Sequence, residues 1–157
     1  MFNVVLVNPQ IPPNTGNIGR LCVNTGSTLH LVKPLGFSIS DKALKRAGLD
    51  YWSKLDLMVW ESLEEFMEVV DTRRCFLATT KSKKPYFEAR FLPGDYLLFG
   101  SETSGLPQNL LQKYTDQTIT IPMTKEGRSL NLAVSVGIIV YEAIRQNYND
   151  FFKKFIE

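Results

Sequence analysis

Three polar stretches hold the residue types that could bind a small ligand or steer reacting atoms. The first runs Asn8-Pro9-Gln10-Ile11-Pro12-Pro13-Asn14-Thr15-Gly16-Asn17-Ile18-Gly19-Arg20. Its prolines stiffen the loop, and Asn14 or Thr15 can cap a helix that follows. On that helix Asn17, Arg20 and Asn24 share one face, being three and four apart, with Ile18, Leu21 and Cys22 opposite. This is either the solvated face of a capped amphipathic helix or a site for an anion or ribose, with Arg20 beside exposed helix N–H groups. Spacing alone favours neither. The glycines do not form G-x-G-x-x-G, so a dinucleotide fingerprint is absent.

The second stretch is Phe99-Gly100-Ser101-Glu102-Thr103-Ser104-Gly105-Leu106-Pro107. Its glycine spacing matches a phosphate-binding P-loop, but Leu106-Pro107 stands where Lys and Ser or Thr are required, which excludes nucleoside triphosphates. A tight turn would explain the glycines. A backbone cradle for a polar ligand, oriented by Glu102, explains them better, because Leu97-Leu98-Phe99 aims the loop out of the core. The third stretch, residues 119–132, passes from Ile119-Thr120-Ile121-Pro122-Met123 through a polar loop to Ser129-Leu130-Asn131-Leu132, with Ser129 the expected helix cap.

A single histidine, His30, sits mid-strand in Thr28-Leu29-His30-Leu31-Val32, where a packed imidazole fits better than a catalytic base. Cys22 and Cys75 have apolar flanks and no metal-ligand spacing, so buried thiols in a reducing compartment, and no metal, are expected. Lys plus Arg is 18 against 16 Asp plus Glu, so any nucleic-acid partner must be read from local patches. The apolar run at 133–141 is far shorter than the roughly 20 residues of a membrane span, and the start shows no signal peptide. A cytoplasmic protein without a membrane partner is expected.

The elements that must position these loops alternate. Strands are expected at 3–7, 28–33, 55–60, 74–79, 95–100 and 117–122, and helices at 15–25, 41–48, 63–70, 107–113 and 129–147. This is an α/β pattern: one domain over 1–157, with a mostly parallel sheet covered by helices on both faces. Ligands in such sheets bind beyond the carboxyl ends of the strands, which are the positions of the three polar loops. The last helix is apolar over more than half its circumference, so one face must pack on the sheet and the other is free to meet a second subunit.

In order and spacing the three loops resemble the motifs of the SPOUT, or trefoil-knot, RNA methyltransferases, specifically the TrmH-like ribose 2′-O-methyltransferases. The first motif is Asn14 through Arg20, the second Gly100-x-Glu102-x-x-Gly105-Leu-Pro, and the third Ile121-Pro-Met through Ser129-Leu-Asn131. The likeness covers nearly the whole chain, including Arg46-Ala47-Gly48-Leu49-Asp50-Tyr51, with no added RNA-binding domain. The compact form is most similar to members that methylate the wobble cytidine or carboxymethylaminomethyluridine of tRNA-Leu isoacceptors. Members acting on rRNA or another tRNA position are the near alternative. A non-catalytic, flavodoxin-like ligand-binding module is the alternative of another class.

The resemblance implies a deep C-terminal trefoil knot whose loops hold S-adenosylmethionine. The implied cofactor contacts are Leu77, Ala78, Thr79, Gly100, Glu102, Gly105, Ile121, Met123, Ser129, Leu130 and Asn131. It also implies a homodimer, for which Leu130, Val134 and Tyr141 of the last helix are candidate contacts. Arg20 would act near the ribose 2′-hydroxyl, oriented by Asn14. The arginine guanidinium stays protonated and has no free acceptor for the hydroxyl proton, so an electrostatic role is expected. Three basic clusters are candidates for RNA contact: Lys42, Lys45 and Arg46; Lys81, Lys83 and Lys84; Lys125 and Arg128.

Overall fold

Val4, Val5, Leu6 and Val7 are all buried, which a strand achieves when both of its faces are covered. The computed structural model describes residues 1–156, and the side chains of all of these except 48–50, 152–154 and 156. Six strands form one sheet: β1 (Asn3–Val7), β2 (Thr28–Val32), β3 (Leu57–Trp60), β4 (Cys75–Ala78), β5 (Tyr96–Phe99) and β6 (Thr118–Ile119). Their order is β3-β2-β1-β5-β4-β6 and every pairing is parallel.

Alternation along each strand sends side chains to two cores. Val4, Leu6, Leu29, Leu31, Leu97 and Phe99 face α1 (Pro12–Thr25) and α5 (Leu132–Gln146). Val5, Val7, Leu77 and Leu98 face α3 (Leu63–Val69) and α4 (Gln108–Lys113) through Phe66, Leu106, Leu110 and Leu111. Between β2 and β3 lie α2 (Lys42–Gly48) and a 3-10 helix, Leu49–Lys54, both packed on α1. Because all strands run the same way, the loops after β1, β4, β5 and β6 emerge at one end. Those after β1 and β5 meet where the strand order reverses, the place where sheets of this kind leave a crevice.

Several expected boundaries move. The first helix begins at Pro12, not Thr15, because proline at its first positions already has helical φ and no N–H to satisfy. Asn14 and Thr15 therefore lie inside it and neither caps it. The strand expected at 117–122 keeps only Thr118–Ile119; its continuation is held by an isolated bridge from Thr120 to Pro85. The last long helix begins at Leu132 with Asn131 as its cap, not Ser129: Asn131 Oδ1 accepts from the Val134 N–H at 3.2 Å. Gln146 turns inward to bridge Ala89 and Phe91. A further helix, α6 (Tyr148–Ile156), follows and seats Phe151 against Phe2. Gly26 ends α1 in the left-handed region, at φ 65°.

His30 is packed, as its strand position indicated. Its Nδ1 accepts from the Trp60 indole N–H at 3.0 Å, so Nε2 carries the proton and donates to Asn3 Oδ1 at 2.9 Å. Both cysteines are free and buried; burial raises both thiols, that of Cys75 to about 12.

Candidate active site

The site is assembled around one carboxylate. Helix α1 has no side-chain cap of its own, and Ile11 stands at its cap position. The loop after β5 supplies the missing acceptor. Glu102 Oε1 accepts from the Gln10 N–H at 2.9 Å, and Oε2 from the Ile11 N–H at 2.8 Å. A negative group at the positive end of a helix is also favoured by the aligned peptide dipoles. The second oxygen takes a third bond, from Asn14 Nδ2 at 3.1 Å. With Nδ2 so committed, Asn14 presents Oδ1 to Asn131 Nδ2, 3.1 Å away. One residue from each of the three polar stretches thus stands in a single chain: Glu102, Asn14, Asn131.

The loop after β5 is tightly folded on itself. The Gly105 N–H donates to the Ser101 carbonyl at 3.0 Å, and the Ser101 and Ser104 hydroxyls lie 2.8 Å apart. A Cβ on Gly100 would lie 2.0 Å from the Gly105 carbonyl carbon and 2.1 Å from the Leu106 nitrogen, so no side chain fits there. Gly105 has φ +68°, and a Cβ there would meet open space. The loop after β4 is pinned to β6 by the Thr79 N–H on the Ile119 carbonyl at 2.9 Å.

Between these loops lies a cavity of about 510 Å³, within the range that takes a small organic ligand. Of the residues expected to meet a cofactor, Ala78, Thr79, Gly100, Glu102, Gly105, Ile121, Met123, Ser129, Leu130 and Asn131 line it, and so does Asn14. Leu77 does not: one residue deeper in β4, its side chain is fully buried in the core against α3 and α4. The sequence reading passed over Leu106, Thr120, Leu132 and Ser135, which also line the cavity. Thr120 and Leu132 adjoin motif residues, and Ser135 lies one turn into α5, which starts at Leu132 rather than at the expected 129.

Arg20 is not among the lining residues. It is exposed on α1, with its guanidinium carbon 5.4 Å from the centre of the Tyr51 ring. Lys81, grouped with the RNA-facing cations, instead lines the cavity and donates to Gln108 Oε1 at 2.9 Å. The other expected RNA contacts, Lys42, Lys45, Arg46, Lys83, Lys84, Lys125 and Arg128, are exposed, and among the described residues none is in an ion pair. On α5, Val134 and Tyr141 are each 50% exposed, and Leu130 just before it 39%, leaving an apolar face uncovered. No group of metal-ligating side chains occurs among the described residues.

Known proteins share much of this sequence and its fold. The tRNA (cytidine(34)-2′-O)-methyltransferase of Escherichia coli strain K12 is 46% identical over 147 residues, 93% of this chain and 94% of that one. A solved structure described as giving insight into the 2-OH methylation of C/U34 on tRNA superposes with TM-score 0.90 at 46% identity, covering 95% of this chain and 97% of that one. The SpoU methyltransferase AviRb from Streptomyces viridochromogenes, solved with its cofactor AdoMet, superposes with TM-score 0.82 at 28% identity over 93% of this chain and 57% of that one. The family model described as SpoU rRNA Methylase matches residues 1–141. The chain belongs to the SpoU methylase family.

Proposed function

We propose that this chain is an S-adenosylmethionine-dependent methyltransferase acting on the ribose 2′-hydroxyl of the wobble nucleotide, position 34, of tRNA. The observation that carries the reading is the Glu102–Asn14–Asn131 chain, which draws all three polar stretches to the rim of one cavity. The names borne by relatives alike over almost their whole length support the substrate.

The cavity suits the cofactor. Ile121, Met123, Leu130 and Leu132 offer apolar surface for an adenine ring, and Thr79, Ser129 and the glycine-bordered backbone offer hydrogen-bonding groups for the polar ends. When bound, S-adenosylmethionine supplies an electrophilic methyl on its sulfonium. This chain would contribute position and charge. The loop after β5, held rigid by Glu102, fixes one wall. Arg20 favours the developing alkoxide and grips an adjacent phosphate, which can take the proton. Exposed Lys125 and Arg128 lie in the loop that borders the cavity, and Lys42, Lys45 and Arg46 lie on α2, which packs on the helix that carries Arg20; these cations neutralise the RNA backbone.

Arg20 stands outside the cavity of its own chain, so a second copy is the arrangement that brings a guanidinium to the donor. The uncovered face at Leu130, Val134 and Tyr141 supports such a homodimer. The pairing of β6 with β4 rather than β5 supports the threaded, knotted course of the family. No helix among the described residues is long and apolar enough to cross a membrane.

Transfer of labelled methyl to tRNA, with the modified nucleotide mapped by mass spectrometry, tests the reading. Arg20→Ala should abolish transfer and leave S-adenosylhomocysteine affinity unchanged. Methylation mapped to a different nucleotide, or full activity without Arg20, would overturn the respective claim.

A further inference from the structure

Arg20 is the one charged residue of α1, and among the described residues no carboxylate pairs with it. A carboxylate would hold a guanidinium by its N–H edge and use the donors that a substrate needs. An aromatic face holds it from above and leaves the five in-plane N–H groups free. The structure supplies such a face: the Arg20 guanidinium carbon lies 5.4 Å from the Tyr51 ring centre.

Tyr51 is itself anchored. It belongs to the 3-10 helix Leu49–Lys54, which packs on α1. Its neighbour Trp52 is seated against Gly19, the residue before Arg20: a Cβ there would come within 3.0 Å of the indole Cζ3, and within 3.3 Å of Leu55 Cδ2. The absent side chain of Gly19 lets the indole close on α1, and this fixes the register that places Tyr51 under Arg20.

We infer that Tyr51 is a positioning residue for the methyl-transfer reaction, holding the Arg20 guanidinium by its ring face so that the N–H edge stays free for the acceptor nucleotide. The inference rests on the role given to Arg20 above. It assigns Tyr51 no contact with cofactor or reacting atoms.

The test uses the full-length protein and single-turnover methylation of tRNA at saturating S-adenosylmethionine. Tyr51→Leu keeps apolar bulk but removes the ring; the rate should fall about two- to fivefold, the worth of an exposed cation–π contact, with the KM for S-adenosylmethionine unchanged. Tyr51→Phe keeps the ring and should recover most of that loss. Nuclear magnetic resonance gives a readout independent of activity. The Arg20 side-chain protons, assigned by their loss in Arg20→Lys, should be shifted upfield by the ring in wild type and in Tyr51→Phe, and return to random-coil positions in Tyr51→Leu.

Absence of that upfield shift in wild-type protein overturns the inference even if Tyr51→Leu fails to fold. So does an equal loss of rate in Tyr51→Phe and Tyr51→Leu, since that would place the effect on the hydroxyl. A dead Arg20→Ala beside a fully active Tyr51→Leu sinks this inference alone. A fully active Arg20→Ala sinks the role of Arg20 first.

Discussion

Replacing Glu102 by alanine removes the acceptor through which the loops after β1 and β5 and the start of α1 are joined. The Gln10 and Ile11 N–H groups lose their cap, worth about 1–2 kcal/mol. The charge at the positive end of the helix contributes about 0.5 kcal/mol more. Asn14 is buried and loses its own acceptor, about 1 kcal/mol. These share one group and will not add perfectly, but about 3 kcal/mol is the expected loss, which lowers the melting temperature of a chain this size by about 6–12 °C. The site should suffer as well. Without Glu102, Asn14 is free to rotate, its bond to Asn131 is no longer directed, and the ligand must itself order the loop. Ordering a single residue costs about 1–2 kcal/mol, so S-adenosylhomocysteine should bind about tenfold more weakly. Differential scanning calorimetry and isothermal titration measure the two effects on the same preparation. A Glu102→Ala protein that melts within about 2 °C of wild type and keeps its ligand affinity would refute the reasoning, since the carboxylate would then be ornamental to both helix and cavity.

Acid should weaken the fold through His30. Burial lowers its pKa from 6.5 to about 4, with Asp56 opposing the shift. An unfolded chain therefore takes up a proton below about pH 6.5 that the folded chain refuses until about pH 4, so this contribution is present above the window and lost as pH falls through it, by up to about 3 kcal/mol. Denaturant titrations across that range should show the loss, and His30→Phe should flatten it. Gly100→Ala should abolish S-adenosylhomocysteine binding and cost about 3 kcal/mol, because the added methyl meets backbone at 2.0 Å and the loop must open. Retained binding by that variant would show that the loop takes another course.

Local chemistry made part of this legible. The unbroken run Val4-Val5-Leu6-Val7 announces a strand buried on both sides, and β1 lies at the expected residues. Gly26 announces the end of α1, and the structure agrees. The polar loops after the strands do come together: ten of the eleven expected cofactor residues line one cavity, Leu77 excepted. What could not be read was which polar group satisfies which. Ser129 and Asn131 have equal capping chemistry, and the choice is made by Asn14 reaching Asn131 from another element. The cap of α1 comes from a residue 91 positions away from Ile11, beyond any local pattern. The helix Tyr148–Ile156 did carry a signal, since Tyr148, Phe151, Phe152 and Phe155 recur at helical spacing beyond the helix expected to end at 147.

The hydrogen bond between Asn14 and Asn131 spans 117 positions of the chain. A polypeptide emerging from a ribosome presents its amino-terminal portion long before its carboxyl-terminal portion exists. The recognition pocket therefore has no partial form that works: truncated products ending before residue 131 lack a wall and a latch, however well β1 to β5 have paired. Closing so distant a contact is also slow, so folding should be limited by this late docking rather than by helix formation. Uptake of the donor molecule then doubles as a certificate that synthesis and folding have both reached completion.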